Sequence, residues 1–257
     1  MLQTESRPRI SAVINTFNAE EHLAEVLESL KDFDEIVVCD MFSEDNTRKI
    51  PAQYGAKIID HERCGICEPA RNAAIQAASN PWVLIVDADE KVSPELLETL
   101  YDIATQDDAP SAVRIPRRNW FMGREMVCLF PDYVTRFARK DKINWPAAIH
   151  SQPEIDGRVD TLRDRDYSLI HLEQNTVASR LEKTYRYSEK EVERRGPQRY
   201  SAWSFLTKPA GRFLSTYFIK GGIRDGLPGL IWSLLEAQYK FSTISRQHDA
   251  ARQSKKK

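Results

Sequence analysis

The chain has 257 residues, 41% of them apolar, and its 37 Lys and Arg nearly balance its 38 Asp and Glu. This length suits one large domain, or one domain with an appendage, and the apolar share is enough for a substantial core. Residues 1–9 are polar and no run of about 18 residues is continuously apolar, so neither a secretory signal nor a membrane-spanning helix is predicted. We expect a cytoplasmic protein whose four cysteines stay reduced.

Alternating apolar runs and amphipathic segments fill the first 60 residues. Three short apolar runs predict strands: Ile10–Ile14, Glu35–Cys39 and Ala56–Ile59. Helical spacing of apolar residues predicts a helix through Leu23, Val26, Leu27 and Leu30. Asn18 is the predicted N-cap of that helix. A second, short helix begins after the loop at residues 43–46, is interrupted by Pro51 and ends at Gly55.

The run Trp82–Val86 is the most apolar strand candidate and predicts a strand buried on both faces. An Ala-rich helix precedes it at Pro69–Ser79, and Ser93 caps a helix that runs from Pro94 to about Ala104. Alternation of strands and helices predicts an α/β domain with a mostly parallel sheet. In such sheets, ligands bind beyond the carboxyl ends of the strands.

Two carboxylates come directly after the central strand. Asp87 and Asp89 are two residues apart, so on an extended backbone they point the same way. Paired oxygen ligands at this position suit a Mg²⁺ or Mn²⁺ ion that also holds phosphate oxygens. The alternative is that residues 87–90 only cap the next helix.

The remaining chain divides into an irregular middle and a helical end. Strands of mixed direction are predicted at Val113–Pro116, Tyr133–Ala138 and Ser168–Leu172. A charged helix is predicted at Ser179–Arg195, and three prolines are predicted to interrupt the helical segments after it: Pro197, Pro209 and Pro228. We expect a catalytic domain at residues 1–178 and a helical extension at residues 179–257.

Positive charge is concentrated in that extension. Residues 180–257 contain 17 Lys and Arg against 7 Asp and Glu, whereas residues 1–179 contain 20 against 31. Together with the aromatic and aliphatic segment Phe213–Tyr239, this pattern predicts an element lying at a membrane surface, with core helices and solvated surface as the alternative. Because no recognised nucleic-acid-binding motif is present, we predict no nucleic-acid partner.

Several motifs, in order, resemble those of the family-2 glycosyltransferases. The first half of the chain contributes Val13–Asn18, Glu35–Asp40 with Ser43, Asp45 and Thr47, Tyr54–Lys57, Glu68 with Arg71 and Asn72, and Trp82–Pro94. The second half resembles the lipopolysaccharide-core subgroup at Ile115–Asn119, Pro131–Tyr133 with Arg136 and Phe137, and Lys220–Gly222 with Asp225 and Gly226. Each motif alone is weak, but their order and spacing are specific.

The resemblance implies a GT-A fold and an inverting, metal-dependent transfer of a hexose from a nucleotide diphosphate. It implies UDP-glucose as the donor and a lipopolysaccharide-core or other lipid-linked glycan as the acceptor, at the cytoplasmic face of the inner membrane. The nucleotide pocket is implied at Thr16, Asn18, Asp40, Asp45 and Arg71. Asp87 and Asp89 are implied to hold the divalent cation, Mg²⁺ or Mn²⁺.

The general base is where the sequence departs from the resemblance. Family members of this subgroup carry His-Glu in the segment that here is His150-Ser151. A hydroxyl is a poor general base near neutral pH. The catalytic candidates are therefore Asp132, His150 and Glu90, with Glu154 as a further carboxylate. A catalytically weakened nucleotide-sugar-binding protein is the alternative.

Two other functions are weighed against the transferase. Cys64 and Cys67 form a Cys-x-x-Cys pair before a helix, as in redox proteins, but the remaining pattern of a thioredoxin-like domain is missing. A sugar-1-phosphate nucleotidyltransferase needs a glycine-rich, cationic loop after the first strand. The loop Asn15–Asn18 contains neither glycine nor a cation, which disfavours that class.

Overall fold

Strand and helix alternate through the first hundred residues of the computed structural model, which describes residues 7–63, 68–146 and 151–254. The strands are β1 (Ile10–Thr16), β2 (Glu35–Asp40), β3 (Lys57–Asp60), β4 (Trp82–Asp87), β5 (Glu90–Val92), β6 (Ala112–Phe121), β7 (Arg124–Glu125), β8 (Asp132–Arg139), β9 (Ile143–Asn144), β10 (Glu154–Ile155), β11 (Val159–Thr161) and β12 (Leu169–Asn175). The helices are α1 (Leu23–Leu30), α2 (Glu68–Ala77), α3 (Pro94–Ala104), α4 (Val177–Arg195), α5 (Ala202–Leu214) and α6 (Gly226–Gln253).

The main sheet has the strand order β3-β2-β1-β4-β8-β6-β12-β5, with β7 and β11 also paired to β6. Its first four strands are parallel, as the alternating pattern predicts. β8 runs antiparallel to both β4 and β6, which agrees with the mixed directions expected for the middle of the chain. Because β1 lies between β2 and β4, the carboxyl ends of these three strands meet at one edge.

Helices cover both faces of the parallel strands. On one face, Leu27 of α1 and Leu100 of α3 pack with Leu84 of β4. On the other face, Ala74 of α2 packs with Val13 and the remaining buried residues of that side. Leu84 and its neighbours Val83 and Ile85 alternate between the two cores, so β4 is buried on both faces, as its continuous apolar run predicts.

Two local expectations, and the alternative stated for residues 87–90, are wrong. Asn18 does not cap α1; its φ of 48° is left-handed, and His22 occupies the cap position without a side-chain bond. The side-chain oxygen of Asn18 instead accepts from the Glu44 amide at 2.9 Å. Residues after Asp89 do not simply cap a helix, because β5 intervenes before Ser93 accepts from Leu96 N at 3.1 Å. Pro209 lies inside α5, where losing one donor does not end the helix.

The described chain divides into two compact units. The first contains residues up to 118 and 131–172, and the second contains residues 119–130 and 173 onward. The predicted functional boundary after residue 178 stays a prediction. None of the described helices is both long enough and apolar enough to cross a membrane.

In the second unit, the hairpin formed by the end of β6 and β7 (residues 119–130, the β7 hairpin) packs on α6. Phe121, Met126 and Cys128 form a buried cluster with Trp232 and Leu235 of α6, and the Phe121 and Trp232 rings meet edge to face.

Buried Asp225, just before α6, accepts hydrogen bonds from the Val127 and Cys128 amides at 2.8 and 2.9 Å. Gly229 lies so close to Gly222 that a Cβ there would be 1.9 Å from the Gly222 carbonyl oxygen. The hairpin is therefore fixed by both apolar packing and a buried carboxylate.

Candidate active site

Strand register gathers the predicted site residues at the carboxyl edge of the parallel strands. Thr16 of β1 lies opposite Asp40 of β2, and Asn15 of β1 lies opposite Asp87 of β4. Two groups of polar side chains result, one in the loops after β1 and β2 and one after β4.

The first group is centred on Asp40, which is only 1% exposed. Its oxygens accept from Thr16 Oγ1 at 2.9 Å, from Ser43 N and Oγ at 2.9 and 2.6 Å, and from the Arg48 guanidinium at 2.9 Å. Burial alone would raise the pKa of Asp40, but the Ser43, Thr16 and Arg48 bonds lower it overall. Asp40 is thus an ionised residue that organises the loop.

Asn18 and Asp45 connect the two loops to each other. Asn18 N donates to Ser43 Oγ at 3.0 Å. Asp45 accepts from Thr47 N at 2.9 Å and from Glu20 N at 3.2 Å. The structure therefore brings the four predicted loop residues into one network, in which side-chain oxygens satisfy backbone amides.

The second group begins with Asp87, which lies between two arginines. Arg71 of α2 donates to Asp87 Oδ1 at 2.8 Å, and Arg136 of β8 donates to Oδ2. The side chains of Arg71 and Arg136 are only 12% and 6% exposed. Each Asp87 oxygen therefore already faces a guanidinium, which compensates for the partial burial of its charge.

Glu90 and Asp132 share a third arginine. Arg117 of β6 donates to Glu90 Oε1 at 2.8 Å and makes two bonds of 3.0 and 2.7 Å to Asp132 Oδ2. Glu90 is fully buried, whereas the Asp132 side chain is 40% exposed. Burial, together with the nearby charge of Asp87, raises the pKa of Glu90 to about 7 despite Arg117. Of these two catalytic candidates, only Asp132 is accessible to a substrate hydroxyl.

Asp89 pairs with a histidine from a distant strand. His171 of β12 lies with Nε2 3.1 Å from Asp89 Oδ2. Burial alone would raise the pKa of Asp89, but the His171 hydrogen bond and charge lower it. Burial alone would lower the pKa of His171, but the bond to Asp89 raises it. The pair therefore offers one carboxylate and one imidazole at the same point.

The side chains of this group can bind a divalent cation whose remaining coordination positions are filled by a bound substrate. Among residues 7–63, 68–146 and 151–254, no three His, Cys, Asp or Glu side chains form a preformed metal site. A cation that binds substrate phosphates needs only one or two protein ligands. Asp89 supplies one carboxylate, whereas His171 Nε2 already contacts Asp89 Oδ2 and both oxygens of Asp87 already accept from arginines.

Two buried donors beside this group have no partner within the described chain. They are Asn15 Nδ2 and Arg136 Nε. A buried donor without an acceptor costs free energy, and an anionic ligand supplies acceptors. The edge of the sheet is therefore suited chemically to an anionic, oxygen-rich ligand.

Some predicted residues fall elsewhere. His150, Cys64 and Cys67 lie outside the described residues. Ser151, which stands where the resemblance expects glutamate, donates its hydroxyl to the Pro146 carbonyl at 2.7 Å. Its backbone carbonyl accepts from Trp145 Nε1 at 3.0 Å, so both polar groups of Ser151 bond to neighbouring residues of the chain.

Three residues of this group are not identified by the sequence as site residues. Arg117 and Arg136 belong to motifs noted in the sequence, but nothing in their spacing connects them with carboxylates that precede them by tens of residues. His171 lies in an apolar strand, opposite Glu90 in the antiparallel β12–β5 pair. Only the long-range strand pairing brings these cations to Asp87, Asp89 and Glu90.

Known glycosyltransferases are similar to this chain over most of its length. The lipopolysaccharide core biosynthesis glycosyltransferase LpsC of Rhizobium meliloti is 27% identical over 250 residues, covering 92% of this chain and 91% of LpsC. An uncharacterized glycosyltransferase of Rickettsia felis is 25% identical over 265 residues, covering 96% of this chain and 92% of the relative.

Solved structures show the same fold. S. aureus TarS 1–349 in complex with UDP matches with a TM-score of 0.50 and 17% identity, covering 96% of this chain and 92% of that chain. A longer TarS structure matches with a TM-score of 0.51 and 16% identity, covering 96% of this chain and 55% of that chain. The predicted GT-A class is confirmed. The model of glycosyl transferase family 2 matches residues 11–154, more than half of the chain, and the protein belongs to this family of glycosyltransferases.

Proposed function

We propose that this glycosyltransferase transfers a hexose from a UDP-sugar, with inversion, onto a lipopolysaccharide-core or other lipid-linked glycan. The observation that carries the proposal is the set of carboxylates and arginines after β4, in a member of a nucleotide-sugar transferase family. UDP as the nucleotide is inferred from the UDP complex of TarS, and the acceptor class from the name of LpsC. Glucose is inferred from the sequence resemblance alone.

Donor binding is assigned to the strand edge. The Thr16–Asp40 network and Asp45 shape the loops that face the nucleotide, and Asn18 fixes their spacing. The orphaned Asn15 Nδ2 and Arg136 Nε suit the diphosphate. Arg71, fixed on Asp87 at 2.8 Å, adds positive charge beside it.

Of the two carboxylates expected to hold the divalent cation, Mg²⁺ or Mn²⁺, Asp89 is assigned as its ligand and His171 orients it. Asp87 orients Arg71 and Arg136 beside that site. When bound, such a cation neutralises the charge that develops on the leaving diphosphate. Arg71 and Arg136 act on the same charge through preorganised donors, which require no reorganisation during the reaction.

Asp132 is assigned as the general base. Inverting transfer needs a general base on the acceptor side that accepts the hydroxyl proton. Asp132 is accessible, and Arg117 orients it through two hydrogen bonds to one oxygen. Glu90 is fully buried and serves to orient Arg117, so it is a positioning residue in this proposal.

A membrane surface is assigned as the location of the acceptor. Helix α5 exposes Trp203, Leu206 and Leu214, at 72%, 65% and 51% exposure. Exposed apolar side chains on a helix of a basic segment suit the boundary between headgroups and acyl chains. Leu206→Glu with Leu214→Glu is expected to release the protein from anionic vesicles. The matched pair Val177→Glu with Leu181→Glu on α4 is expected to leave binding unchanged; equal loss in both pairs would contradict the assignment.

The activity is tested by a binding screen of UDP, GDP, CMP and dTDP sugars, with and without Mn²⁺ or Mg²⁺. A ligand that binds the native state raises the melting temperature by mass action. We expect stabilisation by one UDP-sugar, reversed by a chelator, and product of inverted anomeric configuration when a core glycan is added. Stabilisation without turnover would indicate a sugar-binding protein that has lost catalysis. No stabilisation by any nucleotide would overturn the proposal.

A further inference from the structure

The second unit contains a cavity of about 520 Å³ between α4, α5 and α6. Its volume lies within the range of roughly 300–1,000 Å³ that small-molecule sites occupy. Five cationic side chains line it: Arg194 and Arg195 of α4, Lys208 and Arg212 of α5, and Lys240 of α6. One carboxylate, Glu191, lies among them. The lining is therefore strongly biased towards positive charge.

Nearby carboxylates do not balance these cations. Glu191 is shared by two arginines, since Arg194 contacts it at 2.8 Å and Arg195 also pairs with it.

Buried Glu236 is likewise shared, by Arg212 from the lining and by Arg180. Within the described part of the chain, neither Lys208 nor Lys240 forms an ion pair with a carboxylate. Four cations thus share two carboxylates, and two lysines have none.

The lysines also repel their neighbours. Burial, together with the charges of Lys208, Arg195 and Arg212, lowers the pKa of Lys240. Like charges held together by three packed helices cost free energy unless an anion joins them. The arrangement is one that a bound anion would stabilise.

We propose that this cavity binds a phosphate group carried by a ligand other than the sugar donor. Phosphate oxygens accept hydrogen bonds from several cations at once, and arginine and lysine are the side chains that hold phosphates most often. A phosphorylated lipid headgroup and a soluble phosphorylated sugar present the same group. If the ligand is a lipid headgroup, the cavity anchors the protein at the proposed membrane surface, and this case rests on the proposed function. If the ligand is a soluble phosphorylated sugar, the proposal does not depend on that function.

The cavity is tested with the double variant Lys208→Gln and Lys240→Gln. Neither lysine is ion-paired among the described residues, so their removal leaves both carboxylates near the cavity with their arginine partners. The control is Arg186→Gln with Arg199→Gln, which removes the same charge from exposed positions of the second unit outside the cavity. Equal melting temperatures for the three proteins would verify the fold. Binding is measured to phosphatidylcholine vesicles containing phosphatidic acid or phosphatidylglycerol at matched surface potential, and to inorganic phosphate by calorimetry. No nucleotide is present, so these results do not depend on glycosyl transfer.

We expect the wild type to prefer phosphatidic acid, with affinity lowered about 10- to 30-fold in the cavity variant and much less in the control. That result supports the site with a lipid source. Phosphate binding that only the cavity variant weakens, without a vesicle preference, supports it with a soluble source. The proposal is overturned if the cavity variant binds phosphatidic acid vesicles and inorganic phosphate as tightly as the wild type does. It is also overturned if the control variant loses as much affinity as the cavity variant.

Discussion

Each unit buries one glutamate against arginines, and the surroundings of the two glutamates differ. Glu90 in the first unit is held by Arg117, and Glu236 in the second by Arg180 and Arg212. Around Glu90, four carboxylates face three guanidiniums and one imidazole: Asp87, Asp89, Glu90 and Asp132 against Arg71, Arg117, Arg136 and His171. Around Glu236, cations outnumber carboxylates: Arg180, Arg194, Arg195, Lys208, Arg212 and Lys240 against Glu191 and Glu236.

The difference lies in the charge that each region retains. A buried ion pair contributes little by itself, because desolvation offsets most of the attraction. The charge left over after pairing decides which ligand a region attracts. In the first unit, Asp89 is paired with an imidazole and not with a guanidinium, and we propose that it binds a metal cation; the second unit retains positive charge, and we propose that it binds an anion.

The largest effect on activity is expected from removing the carboxylate of Asp89 in the first unit. Asp89→Asn should lower turnover with a UDP-sugar by at least about 100-fold, since it removes the charge that is proposed to hold the cation. Initial rates at saturating Mn²⁺ measure this. Asp107→Asn, an exposed aspartate after α3, should retain full activity. Wild-type rates in Asp89→Asn would remove the proposed metal role of this residue.

Breaking the pairing of Glu90 should destabilise the first unit. Arg117→Met leaves the fully buried Glu90 carboxylate with the Asp87 amide at 3.1 Å and the more distant Arg136 at 3.8 Å. We expect a cost of about 3–5 kcal/mol in unfolding free energy. Denaturant unfolding measures the loss. The double variant Arg117→Met with Glu90→Gln should recover most of it, because no unpaired charge remains.

The pH dependence of this variant has a defined sign. The pKa of Glu90 in the folded protein, about 7, lies above its ordinary value of 4.5, so the folded state binds the proton more tightly. Removing Arg117 raises that pKa further. The deficit of Arg117→Met relative to wild type should therefore shrink as pH falls towards about 7 from above, and change little well below 7, where Glu90 is protonated in both folded proteins. A deficit that grows on acidification would contradict the assignment.

Breaking the equivalent pairing in the second unit should cost less. Glu236→Gln leaves Arg180 and Arg212 facing each other, but Arg212 is 41% exposed and partly solvated. We expect a loss of about 2–3 kcal/mol by denaturant unfolding. Glu189→Gln, an exposed glutamate on α4, should change stability by less than about 0.5 kcal/mol. Equal values for the two variants would mean that the buried pair contributes nothing.

The smallest effect concerns the buried thiol in each unit. Burial raises the pKa of Cys39 to about 11, and burial with the charge of Asp225 raises that of Cys128 to about 12. Because the thiolate is the reactive form, iodoacetamide should label neither residue in native protein at pH 8. Peptide mass spectrometry measures this, with urea-unfolded protein as the control. Rapid native labelling of one thiol would show that its unit opens readily.

Much of the parallel sheet could be predicted from sequence because its signals are local. The apolar run at Trp82–Val86 and the spacing of Leu23, Val26, Leu27 and Leu30 reflect burial of adjacent residues, and the structure has β4 and α1 there. Thr16, Asp40 and Asp87 could be placed at the sheet edge because parallel strands align their carboxyl ends.

The rest depends on contacts between distant segments. Arg136, Arg117 and His171 reach the acidic residues through β8, β6 and β12, whose pairing no local pattern specifies. The cap predicted at Asn18 is wrong because its side-chain oxygen satisfies Glu44 N in another loop. The helix break predicted at Pro209 is wrong because the packing of α5 on α6 offsets one lost hydrogen bond.

The contact between Asp225 and the β7 hairpin has a consequence for how the protein is made. Val127 and Asp225 are 98 residues apart, and the intervening chain includes β8, part of the first unit. During synthesis, the hairpin carrying Phe121 and Met126 leaves the ribosome well before α6 exists. Its apolar side chains therefore remain exposed until α6 has been synthesised. Translation that stalls before residue 225 should therefore yield a nascent chain that chaperones recognise at this hairpin.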